Sequence, residues 1–206
     1  MKKVLIVSAS KFSDESLLFD NSYLKVAVDN GYHHFYKNKI YADYLIGDFD
    51  TLIDNDFKYA KEVIRLNPIK DDIDSLYAVK FLLEKGYSTF HFLGCLGGRV
   101  DMTLASFSLL EYLLNLNKEA IMYSDEEEVY LINSRKDFLS SEQGRISFLA
   151  MKDNSLVSIK NFKYEYDGYL RTSFPLGVSN LFISKDCFID VKDGIIAVIK
   201  EKIKKK

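Results

Sequence analysis

The sequence predicts an α/β N-terminal domain with a mostly parallel sheet, followed by an all-β antiparallel sandwich. Three observations carry that reading. The first two thirds of the chain alternate short β-branched runs with helical stretches. After residue 127 no segment shows a helical period, and short β-rich runs follow one another at close spacing. The composition, 48% hydrophobic and 28% charged, is that of a chain that folds. The expected domains are residues 1–127 and 128–206.

In order, residues 3–7 form an apolar run that reads as a buried strand, and it is too short for a signal peptide. Residues 23–28, 43–46 and 63–66 read as three further strands. Residues 74–84 read as a helix, with Leu76, Val79, Leu82 and Leu83 on one stripe. A strand at 89–93 precedes a second helix at 101–114, striped by Met102, Ala105, Leu109 and Leu113. A strand at 120–124 closes the first domain. The second domain has β-runs at 128–133, 145–149, 156–159, 178–183, 187–191 and 195–199. Turn signals separate them at Asp153-Asn154, Asp167-Gly168, Pro175-Leu176-Gly177 and Asp193-Gly194, the last a strong hairpin signal.

Charge and length narrow the classes of function. The 206 residues allow one large domain or two small ones. Against 30 acidic side chains stand 28 basic ones, a net charge of −2, which disfavours a general nucleic-acid binder. No apolar run approaches the ~18 residues of a membrane span. Two cysteines outside any metal spacing fit a reducing, cytoplasmic location. The lysine-rich end, residues 200–206, reads as solvated.

Four clusters follow predicted strands or open predicted helices. Gly47-Asp48-Phe49-Asp50-Thr51 places two carboxylates two residues apart; they are either solvated loop aspartates or ligands to a hard cation such as Mg²⁺. Lys70-Asp71-Asp72-Ile73-Asp74 opens a helix; capping explains one aspartate well and three poorly. Gly94-Cys95-Leu96-Gly97-Gly98-Arg99-Val100-Asp101 joins a strand to a helix. It reads as an anion cradle with an arginine fork, or as a tight turn in which Arg99 pairs with Asp101. Asp29-Asn30-Gly31 is an ordinary turn or a ribose or metal contact. His33, His34 and His91 read as structural, and Cys95 as a packing residue. Jointly the clusters describe a Mg²⁺–polyphosphate site and phosphoryl or pyrophosphoryl chemistry.

In this order, the four strings resemble those of the thiamine pyrophosphokinase family, which read approximately Asp-Gly-Gly, Gly-Asp-Phe-Asp-Ser, Lys-Asp-x-Thr-Asp and Gly-Gly-Arg-x-Asp-His. Near the C-terminus, Asn161-Phe162-Lys163-Tyr164 is similar to a family strand, and Ser179-Asn180 to a family Ser-Asn. The resemblance implies transfer of pyrophosphate from ATP to the hydroxyl of thiamine by a homodimer, one subunit's α/β domain facing its partner's sandwich across the thiamine pocket. By motif, Asp48, Asp50 and Asp74 hold Mg²⁺. Lys70 and Arg99 contact phosphates, while Asp29, Asn30, Asp71, Gly97, Gly98 and Asp101 line the nucleotide site. Asp101, Ser179 and Asn180 contact thiamine. Tyr164, Tyr166 and Phe182 are aromatic candidates beside its cation.

The chain departs from the family strings at Asn30, Thr51, Ile73 and Met102, and lacks the glycines often seen after the first strand. Two rival readings follow. A non-catalytic nucleotide-binding protein on the same fold is one. A Mg²⁺-dependent phosphatase of the haloacid-dehalogenase type, using Asp48-Phe49-Asp50, is the other, and the order of motifs disfavours it.

Overall fold

The computed structural model describes residues 2–50, 56–67, 72–139 and 142–202. The chain divides into two compact units, Met1–Asp125 and Glu126–Lys206.

The first unit contains β1 (Lys3–Val7), α1 (Ser16–Phe19), β2 (Tyr23–Val28), a 3₁₀ turn at Asp29–Gly31 and α2 (Tyr32–Asn38). These are followed by β3 (Ala42–Gly47), β4 (Ala60–Arg65), α3 (Asp74–Glu84), β5 (Thr89–Leu93), α4 (Val100–Asn115) and β6 (Glu119–Tyr123). Its strand order is β6-β5-β1-β2-β3-β4, and every pairing among them is parallel. Successive strand residues point to opposite faces. Leu5, Val7, Ala27, Leu45 and Leu93 pack with Leu18 of α1 and Tyr32 and Phe35 of α2. The alternate residues Val4, Ile6, Val26, Ile46 and Phe92 are fully buried too, so both faces of the central strands are covered.

α3 buries Ala78, Val79 and Leu82, and α4 buries Leu109, Leu110 and Leu113. Met102, expected on the core stripe of α4, is 42% exposed. The first turn of that helix stands at the sheet's carboxyl edge and faces a cleft instead of strands.

The second unit holds β7 (Glu127–Ile132), β8 (Lys136–Asp137), β9 (Arg145–Ala150), β10 (Ser155–Lys160), β11 (Tyr166–Leu170), β12 (Asn180–Leu181), β13 (Phe188–Asp193) and β14 (Ile196–Glu201). The orders β12-β9-β14-β7 and β11-β10-β13-β8 are antiparallel throughout. Inward residues from both, including Phe148, Val157, Ile159, Ile189 and Val198, share one core with Phe162.

Three expectations in this unit are corrected. Asp167-Gly168 is mid-strand, because the Asp167 carboxylate is held by Ser158 Oγ and Lys160 Nζ, both at 2.5 Å, on the neighbouring strand. Asp193-Gly194 is a corner and not a hairpin: β13 pairs with β10 and β8, whereas β14 pairs with β7 and β9. Residues 161–164 form no strand, since Asn161 takes a left-handed φ of 66° and Phe162 makes only an isolated bridge to Phe182.

Phe148 is 1% exposed and stacks edge-on with Phe162 at 5.3 Å. Phe148→Ala is expected to destabilise the chain by about 3–5 kcal/mol in a denaturant titration.

Candidate active site

β1 lies between β5 and β2. The chain moves outward from β1 through β2, β3 and β4, then returns to place β5 on the other side of β1. Loops leaving the carboxyl ends of β1 and β5 therefore diverge, and the crevice between them is where ligands bind on such sheets. A cleft of about 550 Å³ occupies that position. Its wall includes Ser10 after β1, Asp29 after β2, Asp48 after β3, Asp74 at the start of α3, and Gly98 and Arg99 before α4.

Asp29, Asp48 and Asp74 converge. Each is half-buried, and each offers a carboxylate oxygen within 4.8 Å of the other two. Backbone strain at two positions accompanies the convergence. Asp29 itself takes a left-handed φ of 46°, rather than its neighbour Asn30. Its carboxylate packs against the bare Cα of Gly47, where an added Cβ collides with Asp29 Oδ1 and stands 3.1 Å from Phe49 Cε1. Phe49, at φ 64°, is an outlier for a bulky residue. Its ring is buried against Phe57 (5.1 Å between centroids) and covered by the Arg65 guanidinium at 5.0 Å. Arg65 Nη1 also reaches the Asp48 carbonyl at 3.5 Å.

Phe49 separates the two aspartates that flank it. Asp48 lines the cleft, whereas Asp50 is exposed and its N–H donates to Asp48 Oδ1 at 3.1 Å. Asp29 thus stands with Asp48 and Asp74, and Asp50 lies outside that group. Three like charges this close are stable together when a cation lies among them. All-oxygen donors fit Mg²⁺.

None of the described aspartates of this cluster caps α3. The N-cap is Ile73, without a side-chain cap bond, and Asp74 joins the acidic cluster from the first turn, where the helix dipole favours its charge. Asp72 also lines the cleft and is held by Lys80 Nζ at 2.7 Å. Lys70, Asp71 and Thr51 lie outside the described residues. Ile73 and Met102 both line the cleft, 40% and 42% exposed, so two departures from the family strings place apolar side chains in its wall.

On the opposite wall, Gly94 has a φ of 69° and lies against the Ser8 carbonyl, leaving no room for a Cβ. Gly97 is left-handed at φ 77°. Arg99 grips Asp101 with two hydrogen bonds, Nε to Oδ1 at 3.1 Å and Nη2 to Oδ2 at 2.5 Å. The Arg99 guanidinium beside it holds the Asp101 carboxyl below the usual carboxylate range. The turn with an Arg99–Asp101 pair is thus present, and Arg99 also lines the cleft.

Ser179 and Asn180 lie in the second unit. Asn180 is buried, and its amide serves the backbone: Oδ1 accepts from Tyr164 N–H at 3.0 Å and Nδ2 donates to Tyr164 O at 2.7 Å. Ser179 is left-handed at φ 61° and its N–H donates to Ser147 Oγ. Beside them is a cavity of about 310 Å³ whose wall includes Tyr164, Glu165, Tyr166, Val178 and Asn180. Phe182 packs on Phe138 and Phe162 instead. His34 stacks on Phe12 at 4.1 Å, and His91 meets the Tyr23 and Tyr123 hydroxyls, so neither faces the cleft wall.

A doubly wound sheet with clustered carboxylates and an arginine at its switch point belongs to the open α/β class, whose ligands bind in the crevice at the carboxyl ends of the strands. Comparison with known proteins narrows the class. Residues 16–122 match the family described as thiamin pyrophosphokinase, catalytic domain. The fold is similar to that of thiamine pyrophosphokinase from Bacillus subtilis (TM-score 0.85, 21% identity, covering 98% of this chain and 100% of that one). It is also similar to the thiamin pyrophosphokinases of Candida albicans (0.74, 20%, covering 97% and 90%) and yeast (0.76, 18%, covering 98% and 86%). No curated protein sequence matches the chain. The family match spans more than half of the sequence: the chain belongs to the thiamin pyrophosphokinase family and, with it, to the pyrophosphokinases.

Two predictions follow from this geometry. Gly47→Ala forces the Asp29 carboxylate aside and is expected to weaken Mg²⁺ binding about 10- to 100-fold by calorimetry, with the circular dichroism spectrum retained. Burial pushes the Cys95 thiol up to about 11, so it is protonated at neutral pH. A thiol-reactive dye at pH 8 is expected to label Cys95 slowly in the folded chain and quickly in denaturant.

Proposed function

We propose that the chain transfers pyrophosphate from ATP to the hydroxyl of thiamine, giving thiamine diphosphate and AMP, with Mg²⁺ as its cofactor. The observation that carries this reading is the convergence of Asp29, Asp48 and Asp74 in the switch-point cleft of the family-matched unit.

Asp48 and Asp74, with Asp29, hold the metal; Asp50, exposed beside Asp48, completes the acidic rim. A bound Mg²⁺ neutralises charge on the transferred phosphates. Arg99, with the glycine turn at Gly97 and Gly98, contacts phosphate oxygens, and the family strings add Lys70 and Asp71 to that set. Asn30 and Asp101 border the nucleotide. The thiamine hydroxyl attacks the β-phosphorus, the bond from that phosphorus to the α-phosphate oxygen breaks, AMP leaves with the bonding electrons, and the hydroxyl proton is released to solvent. Positioning by the cleft supplies most of the catalysis, because a loose phosphoryl transition state asks little covalent chemistry of the protein.

The tyrosine-lined cavity of the sandwich, with Glu165, suits a cationic aromatic ring, and Ser179 and Asn180 shape it. A homodimer brings one subunit's cleft to its partner's sandwich. The chain acts in the cytoplasm; among the described residues no helix is long and apolar enough to cross a membrane. The apolar Ile73 and Met102 in the cleft favour a second reading, nucleotide binding without turnover.

Product analysis separates the two. With ATP, Mg²⁺ and thiamine, the expected products are AMP and thiamine diphosphate in equal amounts. ADP with thiamine monophosphate contradicts pyrophosphoryl transfer, and bound ATP without product supports the second reading. Asp48→Asn is expected to lower turnover about 100-fold or more while the melting temperature stays near that of the native chain.

A further inference from the structure

Arg99 and Asp101 close on each other at the start of α4. Two parallel hydrogen bonds, of 3.1 and 2.5 Å, join the guanidinium fork to both carboxylate oxygens. This is the geometry with which an arginine grips two oxygens of a phosphate. The side chains are 72% and 62% exposed, so the pair is open to solutes and weakened by water. Both residues also have contacts independent of the pair. Asp101 Oδ1 also accepts the Met102 N–H at 2.9 Å, and the Thr103 N–H and hydroxyl both bond to the Arg99 carbonyl, at 3.1 and 3.2 Å. Arg99 and Met102, on either side of Asp101 in sequence, line the cleft.

We infer that Asp101 is an internal stand-in for a nucleotide phosphate on Arg99, displaced when polyphosphate enters, and that the displaced carboxylate then favours the cationic second substrate. The identity of that substrate as thiamine rests on the function proposed above. Before nucleotide arrives, Arg99 neutralises Asp101. Afterwards the phosphates neutralise Arg99, and Asp101 presents its full negative charge beside the cleft. One ion pair therefore links the two substrates and sets a preferred order, nucleotide first. The linkage is reciprocal: thiamine at Asp101 also strengthens the hold of Arg99 on phosphate.

Calorimetry on the full chain tests this, using Mg²⁺ and an ATP analogue with a methylene bridge between the α- and β-phosphorus, which cannot transfer pyrophosphate. Asp101→Asn keeps an oxygen for the Met102 N–H and removes the competing charge. The analogue is expected to bind this variant about three- to ten-fold more tightly than the native chain. Thiamine affinity, raised by the analogue in the native chain, is expected to be indifferent to it in the variant. Asp101→Ser is a second neutral replacement, and thermal melts report whether each variant folds. Equal or weaker analogue binding by the folded variants overturns the inference. The analogue measurement needs neither thiamine nor turnover, so a failure of the thiamine reading appears separately, in the product analysis.

Discussion

Three carboxylates whose oxygens lie within 4.8 Å of one another repel, and the rest of the first unit is arranged to hold them there. Each comes from a different element: Asp29 from the end of β2, Asp48 from the end of β3, and Asp74 from the first turn of α3. Parallel pairing of β2 with β3 fixes the first two at the same edge. The left-handed backbone at Asp29 and Phe49 aims them, and the buried Phe49 ring offsets the cost of that conformation. Gly47 leaves room for the Asp29 carboxylate. A cation placed among these carboxylates relieves that repulsion, which is the basis of the metal site proposed above.

The opposite wall of the cleft is built on the other side of the switch point. β1 and β5 end side by side, with the Ser8 N–H bonded to the Leu93 carbonyl at 2.8 Å. The glycine turn and Arg99 follow directly. Negative charge on the β2–β3 side and a guanidinium on the β5 side suit a metal–polyphosphate complex, which needs both. The Arg99–Asp101 pair gives that guanidinium a carboxylate partner.

Much of this was legible in the sequence. β1, β2, α3 and β5 fall at the expected residues, because each is a clean apolar run or stripe with a clear break at its ends. The described residues of the four motif clusters follow strands or open helices, which is enough to place them at one sheet edge. Asp29 and Asp50 were harder to separate. In an extended chain, residues two apart share a face, so Asp48 and Asp50 look like a pair. The turn at Phe49 that parts them depends on packing with Phe57 and Arg65, which are distant in sequence. Two turn signals in the second unit mislead in the same way. Asp167-Gly168 carries turn chemistry but is held in a ladder by Lys160 and Ser158, and Asp193-Gly194 turns the chain between sheets. The two-residue β8 and four-residue α1 are too short to show a period.

The central claim is that Asp29, Asp48 and Asp74 together form the metal position. The most direct measurement is a crystal structure of the chain with Mn²⁺ in place of Mg²⁺ and the methylene-bridged ATP analogue, with the metal located by its anomalous scattering. The account predicts a peak within direct coordination distance of all three carboxylates, with the analogue's phosphates extending from it toward Arg99. A metal bound elsewhere, or held by Asp48 and Asp50 with Asp29 turned away, contradicts it.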